Sequence, residues 1–337
     1  MANFELLKEL TQTWGVAGRE KNVRAIIQRE IEGLVDESYV DAIGNLIAVK
    51  RGTGGPGSKK IMLCAHMDEV GMQVKKIEGD GRIRVRSVGW VWPAALYNDQ
   101  VVFQNGVIGV VDCYGSVGDA GGDSGKLYID IGTTTKEDTE KYVKVGDYCG
   151  FVGPWYELQN DRISAKTFDD RVGCFMLIEA LRQNTGDCPN DVYYVFSVQE
   201  EVGCRGSKTA AEQIVPDIGI SVDVTPDHFH GGNAVGSSYV GEGISVTLGD
   251  PSAMMDEYLT DEMLACCEEH GIRYQRGVMD RGGTDASSMN LSGTGVRVAG
   301  IAIVDRYPHS KCSVISKQDV LAGIELVHRY THRTFVF

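Results

Sequence analysis

The chain is short of several things, and each shortage excludes something. Proline is scarce, 8 in 337 residues, so Pro-rich linkers are excluded. Positive charge is short as well: 33 Lys and Arg stand against 47 Asp and Glu, a formal balance of −14. Nucleic acid and anionic membrane surfaces both call for a basic footprint, so neither is expected as a partner. No apolar run approaches the ~18 residues that a membrane helix needs. The longest, residues 298–304, has the length of a buried strand. The opening residues lack the basic-then-apolar order of a secretory signal. Nine scattered cysteines include no C-x-x-C pair, and free thiols suit a reducing compartment. The expectation is therefore a cytoplasmic protein. G-K-[ST] phosphate loops and G-x-S-x-G nucleophile elbows are missing too, and Gly52-Thr-Gly-Gly-Pro-Gly57, with no G-K-[ST] ending, reads as a turn between strands.

What is present is a foldable composition. Hydrophobic residues make up 42% and charged residues 24%, close to ordinary globular usage. Glycine is the outlier at 42 residues, which without many prolines points to tight turns and close backbone approaches. The length suggests about two domains. Residues 22–34 place Val23, Ile26, Ile27, Ile31 and Leu34 on one helical stripe. Residues 59–65 are apolar almost without alternation, as in a strand covered on both faces. From 72 to 156 the texture changes to short alternating segments between glycine-rich turns, the pattern of a small β domain. Strand and helix then alternate again to the end, with helices expected at 170–181, 208–214, 256–269, 285–291 and 317–331. The expected class is α/β: a mostly parallel or mixed sheet with helices on both faces, residues 1–70 and 163–337, interrupted by a β domain at 71–162.

Five places put acidic or histidine side chains just beyond a buried strand or at a strand-to-helix junction, where open α/β sheets hold their ligands. They are Cys64-Ala-His66-Met-Asp68-Glu69, Phe168-Asp169-Asp170-Arg171, Gln199-Glu200-Glu201, Val222-Asp223-Val224 and Tyr307-Pro-His309. Each has a plain reading when taken alone. Asp169 and Asp170 could cap a helix, and Glu200 and Glu201 could decorate a solvated turn. Asp223, embedded in an apolar strand, needs a partner of some kind. Taken together, two histidines and three carboxylates match a two-metal site, with Asp68 placed to orient His66 and Glu200 spare to act as a base. Nitrogen and oxygen donors without thiolate suit zinc, cobalt or manganese. His228-Phe-His230 is an H-x-H pair in a polar stretch and reads as a loop.

The ordered motifs H-M-D-E-V-G, F-D-D-R-V-G, V-Q-E-E-V-G, V-D-V-T, G-G-T-D-A and R-Y-P-H-S resemble the M42 family of di-metal aminopeptidases, which includes the tetrahedral (TET) aminopeptidases. The resemblance implies a zinc-exopeptidase-like fold with a β-barrel-like insert for dimerisation and assembly. It implies two divalent ions per subunit, Asp169 bridging them, His66 and Asp223 completing one, and Glu201 and His309 the other. Glu200 would be the general base and Asp68 the partner of His66, with a cis Asp169–Asp170 bond. Gly283, Thr284 and Asp285 would line the substrate side. Peptides would be the substrates, and a dimer-based homo-oligomer, up to a tetrahedral dodecamer, the assembly. The chain departs from the family pattern after Val107-Ile-Gly109, where a glycine-rich stretch stands in place of a Pro-Pro-His segment. Two other readings stand beside this one: a metal-dependent deacylase of amidated small molecules, and a non-catalytic assembly protein of the same fold.

Overall fold

The computed structural model describes residues 2–116, 123–229 and 235–337. Two helices open the chain, α1 (Phe4–Gln12) and α2 (Lys21–Ile31). Val23, Ile27 and Ile31 of the α2 stripe are buried, and Ile26 and Leu34 pack at its margin. Strands β1 (Glu37–Val40), β2 (Leu46–Lys50) and β3 (Lys60–His66) follow. The last six residues of β3 are all buried, as its unbroken apolar run requires.

The chain then leaves the sheet. β4 (Gly71–Ile77), β5 (Ile83–Val88), β6 (Gln100–Phe103), β7 (Ile108–Cys113), β8 (Leu127–Asp130) and β9 (Tyr148–Phe151) close into a barrel, ordered β4-β5-β8-β7-β6-β9. Alternate residues such as Ile83, Val85, Val111 and Ile129 fill its interior, and closure leaves no free edge. A single turn, α3 (Lys136–Thr139), decorates it. Glu69 enters β4 and Lys166 lies beyond the barrel; they meet as a buried ion pair, Lys166 Nζ to Glu69 Oε2, 2.6 Å. Breaking a pair of this kind costs about 3–5 kcal/mol, so the contact seats the barrel on the rest of the chain.

β10 (Tyr156–Glu157) and β11 (Arg162–Ala165) pair outside the barrel. The remaining elements are α4 (Phe168–Gln183), β12 (Asp191–Ser197), α5 (Arg205–Ile214), β13 (Ile218–Pro226), β14 (Ile244–Gly249), α6 (Glu257–His270), β15 (Tyr274–Val278), α7 (Ala286–Asn290), β16 (Arg297–Asp305), β17 (Ser313–Ser316) and α8 (Lys317–Thr331). The main sheet is mixed, in the order β1-β2-β12-β3-β13-β16-β14-β15. Its centre, β12, β3, β13 and β16, is parallel, while β2 and β14 run antiparallel to their inner neighbours. Successive residues face opposite layers. Leu63, Ala65, Tyr194 and Phe196 join the core under α1, α2, α4 and α8, whereas Met62, Cys64, Tyr193 and Val195 pack against Ala210, Ala211, Ala286 and Met289 of α5 and α7. No helix among the described residues is long and apolar enough to cross a membrane. All nine cysteines are free.

Candidate metal centre

The parallel strands end together, and the register decides which side chains meet. Ser197 of β12 lies beside His66, the last residue of β3. Asp223 sits on the neighbouring β13, opposite Ala302 of β16. Beyond β12 the chain turns through Gln199, held at φ 58°, into Glu200 and Glu201. The Asp68 carboxylate accepts both their backbone N–H groups, at 3.0 and 3.1 Å. His66 Nδ1 lies 3.2 Å from the Asp68 backbone carbonyl and 3.6 Å from its carboxylate. Asp68 therefore braces the imidazole with its main chain and the glutamate turn with its side chain.

The two adjacent aspartates at the start of α4 divide their work. Asp169 faces the site: its Oδ1 lies 2.9 Å from His66 Nε2 and its Oδ2 3.0 Å from His309 Nε2. The Asp169–Asp170 peptide is cis. Asp170 turns inward and accepts the His66 backbone N–H at 3.0 Å and the Gly173 N–H at 2.9 Å, so capping, too, is present. Glycine at 173 is required, because a Cβ there would stand 2.5 Å from the Val222 carbonyl. His309 follows β16 with left-handed backbone, φ 56°. Its Nδ1 lies 2.7 Å from the Trp90 carbonyl of the barrel, and its Nε2 3.5 Å from Glu201 Oε2. Donor atoms of His66, Asp169 and Glu201 lie within 4.8 Å of one another, as do those of His66, Asp170 and Asp223. A small cleft lined by Val70 and Phe151 of the barrel side reaches Asp169, Glu201 and His309.

Positive charge is in deficit at this point. Burial pushes Asp223 up to about 7 and Glu201 up to about 8, against the pull of His66 and His309. Burial likewise holds Glu200 well above the carboxylate range. Burial opposes ionisation of Asp169 too, but hydrogen bonds from His309 and His66 keep it below its ordinary value. Burial disfavours the charged form of His309, yet Glu201 and Asp169 raise it to about 10. A group of buried carboxylates that two imidazoles cannot neutralise is a setting for cations.

The 283–285 segment lies behind Glu200. Asp285 is buried and accepts from Ser207 Oγ at 2.5 Å, Ser197 Oγ at 2.6 Å and Cys64 Sγ at 3.1 Å. Thr284 Oγ1 lies 3.2 Å from Ser221 Oγ. Placing a Cβ on Gly283 would drive it into Ser252. Cys204, from the same neighbourhood, donates its thiol to Glu200 Oε1 at 3.1 Å. His228 accepts the Ser238 N–H at 3.2 Å, and His230 lies outside the described residues. From the sequence Asp170 reads as a possible helix cap but not as a brace for His66, and nothing points to the Trp90 carbonyl. The paired aspartates were a usable signal for the first; a backbone carbonyl carries no residue-type signal at all.

Comparison with known proteins identifies the family and the fold. The family model of the M42 glutamyl aminopeptidases matches residues 44–326. The lysyl aminopeptidase of Pyrococcus furiosus is 31% identical over 97% of this chain and 96% of its own. An aminopeptidase from the archaeon Desulfurococcus kamchatkensis superposes with a TM-score of 0.91 at 33% identity, covering 97% of this chain and 94% of the other. The TET1 peptidase of Pyrococcus horikoshii, which can assemble into a tetrahedron or a large octahedral shell, superposes with a TM-score of 0.85 at 30% identity, over 98% and 99%. The protein is an aminopeptidase, and the chain belongs to the M42 family.

Proposed function

We propose that this aminopeptidase removes N-terminal residues from peptides with the help of two divalent cations, with Glu200 as the general base. One observation carries the reading: the two oxygens of Asp169 are divided between His66 Nε2 and His309 Nε2, at 2.9 and 3.0 Å. A carboxylate placed this way can serve two cations at once. His66 and Asp223 would complete one set and Glu201 and His309 the other. The donors are nitrogen and oxygen, which suits zinc or cobalt, with manganese also accommodated. Such ions supply Lewis acidity, polarising the scissile carbonyl and making water a nucleophile near neutral pH.

The chain's own residues do the rest. Asp68 fixes the backbone of Glu200 and Glu201. The Cys204 thiol engages Glu200 Oε1, while Oε2 points toward His66, 3.8 Å from its Nε2. From there Glu200 would take a proton from the attacking water and pass it to the leaving amine. The 283–285 segment, behind Glu200, would bound the substrate side. The barrel, residues 71–162 with their connections, would serve assembly, and a homo-oligomer is the proposed state, as in the P. horikoshii relative.

Glu200→Gln tests the base. The expected result is a loss of about 10²–10⁴-fold in kcat on aminoacyl anilides with bound metal unchanged. Full activity in that variant would sink the assignment. The wild type should cleave free-amine anilides and leave N-acyl analogues intact; the reverse preference would indicate a deacylase.

A further inference from the structure

Four consecutive backbone N–H groups in the glutamate turn end on side-chain oxygens drawn from three distant stretches of chain. Val198 donates to Asn45 Oδ1 at 3.0 Å and Gln199 to Glu20 Oε1 at 3.2 Å. Glu200 and Glu201 donate to the two Asp68 oxygens. A chain leaving a strand has no ladder partner for these donors, and a charged acceptor is the strongest substitute. Asp68 belongs to the site motifs; Glu20 and Asn45 do not.

Glu20 stands at the N-terminal flank of α2 and is only 4% exposed. The oxygen that receives Gln199 also accepts the Gly18 N–H, at 2.6 Å. One carboxylate therefore ties the segment before α2 to a residue whose left-handed backbone, φ 58°, is unfavourable for any side chain but glycine. Gln199 immediately precedes the base, so a change in its backbone would swing Glu200. Asn45 anchors the other side: its Nδ2 donates to Asp41 Oδ2 at 2.6 Å and to the Gly206 carbonyl at 2.9 Å. The Gly206 N–H returns to the Val198 carbonyl at 3.0 Å, and a Cβ on Gly206 would approach that oxygen to 2.5 Å.

We propose that Glu20, seconded by Asn45, is a positioning residue for the general base: it fixes the left-handed Gln199 backbone and thereby aims the Glu200 carboxylate. The proposal rests on the reading of Glu200 as base. Glu20 is none of the residues assigned to the cations or the substrate; its hydrogen bonds go to the Gly18 and Gln199 backbone.

The test compares Glu20→Ala with Glu20→Gln, whose amide oxygen still accepts a hydrogen bond. In the metal-free protein, amide hydrogen exchange across residues 198–201 should speed up at least about tenfold in the Ala variant and return close to wild type in the Gln variant. In the metal-loaded enzyme, kcat on aminoacyl anilides should fall about 10–100-fold in Glu20→Ala, with KM and bound metal unchanged, and recover in Glu20→Gln. Unaltered exchange in Glu20→Ala would overturn the contact's role. A kcat loss shared equally by both variants, or accompanied by loss of bound metal, would overturn the positioning claim. If Glu200→Gln shows that Glu200 is no base, the kinetic arm fails on that account, and the exchange arm still decides whether Glu20 holds the turn.

Discussion

The two histidines that flank Asp169 are held in different ways. His66 closes a central parallel strand, its side chain only 2% exposed. Its backbone N–H is bound by Asp170 at the start of α4 and its Nδ1 faces the Asp68 carbonyl in the turn after β3, so both supports come from outside the barrel. His309 stands on a loop, its side chain 21% exposed. Its own φ of 56° and that of Tyr307, 62°, are both left-handed. The carbonyl that orients it belongs to Trp90, in the barrel. One half of the centre is thus built by secondary structure and the other is assembled across two units. On the proposed two-cation reading, the difference predicts that the His66 half binds the tighter cation and that the His309 half depends on how the barrel is seated.

In the proposed two-cation site Asp169 is shared by both halves, and its loss should have the largest effect. Asp169→Asn removes the charge that lies between the imidazoles. Both cations should weaken by more than about 100-fold, a larger loss than outer partners usually cause, and activity should vanish with them. Metal analysis after gel filtration reads the result. Retention of one ion per subunit would show that the halves are independent and that Asp169 serves only one of them.

How much of this was legible beforehand varies along the chain. The unbroken apolar run of β3 announced a buried strand, and His66, Glu201 and His309 could be placed beyond strands because their strands ended cleanly. The alternating segments after residue 72 announced a β domain, though not its closure into a barrel. β15, Tyr-Gln-Arg-Gly-Val, had no such pattern, since it lies at the sheet edge with only Gly277 buried. Nor does a side-chain pattern show that β2 and β14 run antiparallel to their inner neighbours; strand direction follows from connections. The hold of Glu20 on Gln199 spans 179 positions, and nothing local to either residue hints at it. α5, expected from 208, begins at Arg205 because the turn that carries Glu200 runs straight into it.

Removing the cations should expose the charge deficit, and with it a pH dependence of known sign. Asp223 and Glu201, ordinarily at 3.8 and 4.5, are pushed up to about 7 and about 8. The folded metal-free chain therefore binds protons that the unfolded chain has already lost. Their contribution to stability is present below the unfolded values and disappears as pH rises through the folded ones. His309, raised from 6.5 to about 10, runs in the same direction at higher pH. Asp169, held low, runs the other way, but only in acid below its ordinary 3.8. The Tm of chelator-treated protein should therefore fall steadily from about pH 5 to about pH 9, and cations should restore it most at the alkaline end. A metal-free Tm that rose across this window would mean that the carboxylates find other partners. The same chelator titration sharpens the comparison, because the His309 half should empty first.

The smallest effect is expected at Trp90, and it bears most directly on the barrel's part. The group that orients His309 is the Trp90 backbone carbonyl, 2.7 Å from Nδ1, which any residue would supply. What Trp90→Ala removes is the ring, whose centroid lies 5.8 Å from the imidazole and 4.5 Å from the Trp92 ring. Aromatic contacts are worth about 0.5–1.5 kcal/mol, and a ring that is 54% exposed belongs at the low end. The cation on the His309 side should therefore weaken by less than about fivefold, since 1.4 kcal/mol is about tenfold, while the His66 side stays as it was. Competition with a fluorescent chelator resolves a change of that size. Equal weakening on both sides would mean that the barrel supports the whole centre, and the contrast between the two histidines would then lie in their exposure alone.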